Sequence, residues 1–553
     1  MKTMHKLFLL LLLVTFSQLV QAQEKYNILW LSCEDIDPTL GAYGAEEVET
    51  PNIDRLAREG ILFENAYSTV GVCAPSRSSI ITGMYPVSIG THNMRTANFV
   101  PYKGINGETY PSFQAVTGKS GQNIPAYSAV LPPEVKCFTE YLRVAGYYCT
   151  NNWKNDYQFY PPFTAWDENG FNAEYMNRPE GMPFFSVYNH EVTHESQIWM
   201  KEKDPMLVDI NNIKLPEYFP DLPVVRKDVG RKYSNIEELD AQIGEKLDKL
   251  EKEGLLDKTI IVFWSDHGGP MLRQKRAVGN TGLHVPLIIR FPDKRMAGTR
   301  SDRLVSLMDL GPTMMSLLGI KPPEYMQGKA FMGTYEEAPR EAIFGSADRF
   351  DEAYDFSRSV IDGQFSYIKN FDPSTPLIYR IQYREQIEMT RKLIEMDRQG
   401  ELTGGAAYIF RDYRDAEELY DLENDPDEIH NLANDPKYYP QLIKMRAQLS
   451  AWQLDIGDKG LIDEYNLVQM FWPGLVQPST KDVVVKPTEK GLVLSCDTKG
   501  ASIGYQIDDK IGSETWQIYH EPIKLSKGQK IVTRAKRIGY KTSNTTEFVN
   551  MES

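Results

Sequence analysis

Within five residues, Cys73-Ala74-Pro75-Ser76-Arg77 combines a thiol, a helix-starting proline and a permanent cation. Pro75 suits a first helical turn, where its missing N–H is one of the unpaired groups, and Gly83 stops the helix about two turns later. Cys73 then stands at a helix N-terminus, where free N–H groups and the positive end of the dipole favour a bound anion or a forming oxyanion. Arg77 adds a bidentate fork one turn further along the same face. Standing alone, such a cysteine would read as a small buried hydrophobe. Two further acidic sites, Glu34-Asp35 and Asp266-His267, each follow a short apolar run. Joined by Cys73, hard carboxylates from two strands could enclose one Ca²⁺ or Mg²⁺ among oxygen ligands.

These residues need a sheet edge to hold them. Residues 27–33 and 259–264 are uninterrupted apolar runs of the kind found in strands buried on both faces. Glu34 and Asp35 leave the carboxyl end of the first run, and Ser265, Asp266, His267 and Gly268 leave that of the second. In open α/β sheets that edge is where ligands collect. Thr50-Pro51 is expected to cap a scaffold helix with Ile53, Leu56 and Ala57 on one face and Gly60 at its end. Residues 183–188 read as another strand, ending at Asn189-His190 and followed by Thr193-His194-Glu195.

The Cys-x-Pro-Ser-Arg spacing followed by Thr82-Gly83 resembles the signature of the type I sulfatases of the alkaline phosphatase superfamily. The resemblance recurs in family order over residues 26 to about 470: Asn27-Ile28-Leu29 before Glu34-Asp35, Thr50-Pro51-Asn52-Ile53-Asp54, Ser265-Asp266-His267-Gly268, and Glu418-Leu419-Tyr420-Asp421-Leu422. It implies that a separate formylglycine-generating enzyme oxidises Cys73 to formylglycine, and that Glu34, Asp35, residue 73, Asp266 and His267 hold Ca²⁺ in preference to Mg²⁺. Glu34 stands where the family usually has Asp, one methylene longer. By the same resemblance Lys154, in Trp153-Lys154-Asn155-Asp156, holds a sulfate oxygen, and His194 protonates the leaving alcohol. Lys275 is the second lysine, with Arg276 as its register alternative. Asp156 stands where relatives carry a histidine, so hydrogen bonding to the formylglycine hydroxyl falls to Asp156 or to His92. His92, Arg95, Asp156 and His284 are the substrate-binding candidates; His190 reads as structural.

The 553 residues, 41% hydrophobic, suffice for a large core and at least two domains. A net charge of −15 argues against nucleic acid and anionic membranes, while leaving room for a local basic pocket. Five cysteines do not make a disulfide scaffold. Lys2 and Lys6, the apolar residues 7–14 and Val20-Gln21-Ala22 read as a secretory leader over 1–22, implying a periplasmic or secreted protein. The apolar run is too short to span a membrane.

The expected fold is α/β: a large mixed-sheet, alkaline-phosphatase-like catalytic domain over 23–335, a smaller α+β subdomain over 336–472, a linker over 473–487 and a small β-sandwich appendage over 488–553. In the subdomain, Leu442, Met445, Leu449 and Trp452 share one helix face. In the appendage, Ala501, Ile503, Tyr505 and Ile507 alternate with polar residues. The overall pattern is most similar to bacterial N-sulfoglucosamine sulfohydrolase or heparan sulfatase-like enzymes. It implies an exo-acting hydrolase of a sulfated glycan. Alternatives are a sulfamidase, a phosphonate or phosphodiester hydrolase of the same superfamily, and a glycan-binding protein with an inactive site.

Overall fold

The computed structural model describes residues 25–94, 102–103, 109–110 and 116–551. The leader reading and Arg95 lie outside them. The main sheet has eight strands: β1 (Asn27–Cys33), β2 (Ile61–Tyr67), β3 (Tyr148–Asn152), β4 (Glu168–Asn169), β5 (Phe184–His190), β6 (Thr259–Ser265), β7 (His284–Arg290) and β8 (Thr299–Ser306), in the order β8-β2-β7-β6-β1-β5-β3-β4. β1 runs parallel to both β5 and β6, whereas β7 runs antiparallel to β6 and β2. The sheet is therefore mixed, as expected.

Every residue of β1, β5 and β6 is buried, which is why β1 and β6 read as largely apolar runs rather than alternations. Ile28 and Trp30 pack on one face of the sheet, Leu29 and Leu31 on the other. The second face is covered by α1 (Pro51–Glu59) and α3 (Pro223–Lys252), through Ile53 and Leu56 of the first and Ile236, Leu239 and Ile243 of the second. The first is covered by α2 (Cys73–Thr82), through Ile80 and Ile81. Register then fixes the site: Cys33 lies opposite Ser265 on β6 and His190 on β5, so the three strands end level and release Glu34, Asp266 and Glu191 along one edge.

Thr50 does not cap α1 with its side chain. Its hydroxyl donates to Asp54 at 3.0 Å and accepts from the Gly41 N–H. The cap comes from α3 instead, where Asp240 Oδ1 accepts from the N–H groups of Asn52 (3.0 Å) and Ile53 (2.8 Å). A distant carboxylate at the positive helix end does the job of a local hydroxyl and ties the two helices together.

A second, antiparallel sheet follows: β9 (Ile343–Phe350), β10 (Ala353–Ile361), β11 (Phe365–Asn370) and β12 (Glu417–Asp421), in chain order. The helix α4 (Tyr439–Ile456) packs Leu442, Met445, Leu449 and Trp452 against Val360, Tyr367 and Leu419. At the C-terminus are a hairpin, β13 (Val484–Thr488) and β14 (Gly491–Ser495), and a four-stranded antiparallel sheet of β15 (Ser502–Ile507), β16 (Gln517–Ile518), β17 (Lys530–Lys536) and β18 (Thr546–Val549). β13 thus begins inside the stretch read as linker. This β unit has its own core of Leu492, Leu494, Ile531 and Ala535. It is hydrogen-bonded to the rest of the chain through Lys136 to the Gly500 carbonyl (2.5 Å) and Arg143 to the Trp516 carbonyl (2.6 Å). No helix among the described residues is long and apolar enough to cross a membrane.

Candidate active site

All ten residues of α2 are buried, and Gly83 ends it with φ +67°, in the left-handed region where glycine costs least. Its polar side chains therefore need partners within the fold. Ser78 and Thr82 donate back to carbonyls four residues earlier, at 2.8 and 2.6 Å, and Ser76 donates to the Asp266 carbonyl at 2.5 Å. The last bond pins the first turn of α2 to the end of β6. Cys73 Sγ then lies 3.3 Å from His267 Nε2 and 4.0 Å from Asp35 Oδ1.

Around the thiol the acids and cations interlock. Arg77 pairs through Nη2 with Glu34 and through Nε with Asp266 Oδ2 (3.1 Å), and its Nη1 donates to Asn189 Oδ1 at 2.8 Å. Lys154 holds the other Glu34 oxygen at 2.7 Å. Lys275 reaches both oxygens of Asp35, at 2.8 and 2.7 Å, and Glu195 Oε1 at 3.4 Å. Arg276, the register alternative, instead clasps Glu195 with two bonds of 3.0 and 2.8 Å and pairs with Asp351.

Electrostatics follow from that wiring. Burial would raise Glu34 and Asp35, but Arg77 and Lys154 hold the first, and Lys275 the second, well below the ordinary carboxylate range. Asp266 is raised, by burial and by the Glu34 charge, and shares its Arg77 with Glu34. Burial also pushes the Cys73 thiol far up, so unmodified Cys73 is a protonated thiol rather than a reactive thiolate. Burial and the Lys275 ammonium depress His194 to about 3. The backbone N–H of Ser196 donates to its Nδ1 at 3.3 Å, which leaves the ring proton on Nε2.

The donor set fits a divalent cation. Ligand atoms of Glu34, Asp35, Cys73 and His194 lie within 4.8 Å of one another, as do those of Cys73, Asp266 and His267. The Gly268 carbonyl can only accept, so His267 Nδ1, 2.9 Å from it, carries the proton. Its Nε2 faces Asp35 Oδ1 at 3.1 Å and Asp266 Oδ1 at 3.7 Å. A ring nitrogen and two carboxylates thus converge in a buried site, as the ligands of a cation do. Glu34 fits less well, since both its oxygens are already bound by Arg77 and Lys154.

Asp156 stands 3.6 Å from Lys154 Nζ. His92 is buried where its charge bears on Asp348 and Glu464, near the second sheet rather than the acid cluster. His284 stacks on Tyr67, and its Nε2 is bound to the Glu64 carbonyl at 2.7 Å. His190 Nδ1 donates to the Ser32 carbonyl at 2.9 Å and burial lowers the ring to about 4, in keeping with a structural residue. Sequence reasoning gave no role to Asn189, which orients Arg77, or to Glu195, whose N–H donates to Asp35 Oδ2 at 2.7 Å. The available signal was their place at and just beyond the carboxyl end of β5. Strain marks the site as well: Asp35, Asp156, Arg273 and Arg276 all take left-handed backbone, with φ of 52°, 48°, 66° and 74°.

Residues 26–320 match the family model described as Sulfatase. The chain belongs to the sulfatase family. It is 40% identical over 95% of its length to an ulvan-active sulfatase of Formosa agariphila, covering 91% of that protein. It is 26% identical to human N-sulphoglucosamine sulphohydrolase, over 78% of this chain and 90% of the other. A solved structure described as a complex with its substrate D-glucosamine-2-N,6-O-disulfate matches with a TM-score of 0.52 at 17% identity, over 78% of this chain and 98% of the other. That last likeness is one of fold. The chain is thus a sulfatase with the mixed-sheet α/β architecture of its family, and the residues around Cys73 are its candidate reaction centre.

Proposed function

We propose that this sulfatase removes sulfate from a sulfated glycan, acting from the chain end, with residue 73 as the attacking position and a divalent cation beside it. The observation that carries this is Cys73 at the buried N-terminus of α2, 3.3 Å from His267 and 4.0 Å from Asp35, ringed by Arg77, Lys154 and Lys275. The ulvan-active relative supports a polysaccharide substrate. The leader reading supports action in the periplasm or outside the cell.

Asp35, Asp266 and His267 would hold the ion, with Glu34 as a weaker fourth; Ca²⁺ suits the carboxylates better than the smaller Mg²⁺, and it would polarise the sulfuryl oxygens. Formed from Cys73 by a separate formylglycine-generating enzyme, formylglycine would supply a hydrated aldehyde, one hydroxyl of which attacks sulfur while the other later expels sulfate. The rest is done by the chain's own side chains. Lys154 and Lys275 flank the acid cluster and hold the sulfuryl oxygens, and Arg77 fixes charge at the attacking position. Asn189 and Glu34 keep the Arg77 fork from swinging away. His194 presents Nε2–H to the departing oxygen. Its low proton affinity comes partly from Lys275 and Lys154, whose charge an incoming sulfate ester offsets, so substrate binding and protonation of His194 are coupled.

Peptide mass spectrometry of residue 73 tests the maturation, and turnover of matched sulfate and phosphate esters tests the bond cleaved. An aldehyde at 73 and preference for the sulfate ester are expected. Full activity with an intact thiol would overturn the mechanism.

A further inference from the structure

Behind the Lys275 side of the acid cluster lies a cavity of about 40 Å³ that the proposed reaction does not use. Each water centre needs roughly 10–15 Å³, so the space admits a group of a few heavy atoms. Its lining includes the cations Arg273, Lys275, Arg276, Arg384 and Arg414 and the acids Asp355 and Glu418. Both acids are committed already. Asp355 pairs with Arg414 at 3.1 Å, and Glu418 accepts from Asn370 and from the Tyr420 hydroxyl, each at 2.6 Å.

Arg384 is the exception among the cations. It is 3% exposed, and one of its five N–H donors reaches a partner, the Tyr379 carbonyl at 2.9 Å. Among the described residues no carboxylate lies within ion-pair distance of it. The acids that bear on its charge are committed elsewhere, Glu195 and Asp351 to Arg276 and Glu385 to Arg380. Burial and Arg276 lower Arg384 only to about 10, so it stays charged near neutrality. Elsewhere in the lining, the Nε atoms of Arg273 and Arg414 are buried without a partner. If Arg384 served only to brace its turn, a neutral donor could make its single bond without the cost of burying a charge.

We infer that this cavity is a second anion subsite, in which Arg384 receives a carboxylate or a further sulfate of the same polyanionic glycan whose ester is cleaved at residue 73. The inference rests on the glycan reading above. Lys275 joins the two sites, touching Asp35 on one side and lining the cavity on the other. An anion held there would sit one side chain away from the reaction centre, and Arg384 would select substrates by their second charge.

The test compares wild type with Arg384→Gln and Arg384→Lys on three substrates: an aryl monosulfate, a sulfated oligosaccharide carrying a uronate, and the same oligosaccharide with its carboxylate reduced. For Arg384→Gln, KM should rise about 10–100-fold on the uronate substrate, the size of one lost charge-assisted pair. Changes on the other two should stay within about threefold. Arg384→Lys should fall between, because it keeps the charge but not the fork. Equal losses on all three substrates, or none, would overturn the subsite. Calorimetry with glucuronate, inorganic sulfate and chloride separates the sources. Wild-type binding of chloride alone would assign the cavity to a free ion and overturn the substrate role, whereas binding of glucuronate that Arg384→Gln abolishes supports it. A wild type that hydrolyses no sulfate ester yet binds glucuronate through Arg384 would refute the functional reading and leave the subsite standing.

Discussion

Lys275 Nζ lies 2.8 Å from Oδ1 and 2.7 Å from Oδ2 of Asp35, so one ammonium closes on both oxygens of a buried carboxylate. The pair sits 4.0 Å from Cys73 Sγ through Asp35 Oδ1. A cation bound by Asp35 and a sulfuryl oxygen bound by Lys275 would therefore share this one contact. Lys275→Met keeps much of the side-chain volume and removes the charge. We expect kcat to fall by about 10²–10³, the usual cost of losing one oxyanion donor, on sugar and aryl sulfates alike. Steady-state kinetics on both substrates checks this, and a loss below about threefold would restrict Lys275 to balancing Asp35.

Asp266 offers the sharpest test of the metal site. Burial and the Glu34 charge raise its proton affinity, and its Oδ1 stands 3.7 Å from His267 Nε2. Asp266→Ala should abolish stoichiometric calcium binding and turnover together. The fold should survive, because Arg77 keeps its bonds to Glu34 and Asn189. Metal analysis of dialysed protein beside its circular dichroism decides the matter: stoichiometric calcium in the variant would place the ion elsewhere.

The strands that build the edge were legible because uninterrupted apolar runs such as residues 27–33 have few ways to be buried except between two layers. Level strand ends then made Glu34, Asp35, Asp266 and His267 neighbours without further information. What could not be read were contacts between side chains distant in sequence. The Asp240 cap on α1 spans 188 residues, and nothing local in Thr50-Pro51 announces that the threonine hydroxyl is otherwise engaged. The choice between Lys275 and Arg276 was open because a loop has no periodicity; in the structure Lys275 reaches Asp35 while Arg276 turns to Glu195. Pro487 ends the stretch read as linker, yet it lies within β13; among the described residues β13 forms a ladder with β14 alone, and proline is tolerated in such an edge strand.

Stability should carry a signature of Asp228 on α3. Burial pushes its carboxyl up to about 6, against the Met389 N–H that donates to Oδ2 at 2.7 Å. The folded chain thus holds this proton more tightly than the unfolded chain, where the group titrates near 3.8. The resulting stabilisation is full below that value and is lost as pH rises through about 6, amounting to about 3 kcal/mol for two pKa units. Asp228→Asn retains an acceptor for Met389 and removes the titration. It should match wild type near pH 4 and exceed it at pH 7, as read from urea midpoints across that range. A difference that does not vary with pH would show that Asp228 titrates normally.

The last prediction separates proton transfer from sulfate binding. His194 belongs to the cluster of Glu34, Asp35 and Cys73, with its ring proton on Nε2, whereas Lys154 is salt-bridged to Glu34 at 2.7 Å. General acid catalysis contributes about 10²–10⁴-fold where the leaving group is poor. His194→Ala should therefore slow an alkyl or sugar sulfate by a factor in that range and be much milder on an aryl sulfate, whose phenoxide needs little protonation. Lys154→Ala should impair both, because the sulfuryl group is common to them. Asp156→Asn belongs in the same series: Asp156 stands 3.6 Å from Lys154 Nζ, at the position where the family resemblance implies a histidine, and a large loss on both substrates would assign it that role. If His194→Ala costs the two substrates equally, the proton must come from another group, and Lys275, which reaches Asp35 from the other side, is the next to examine.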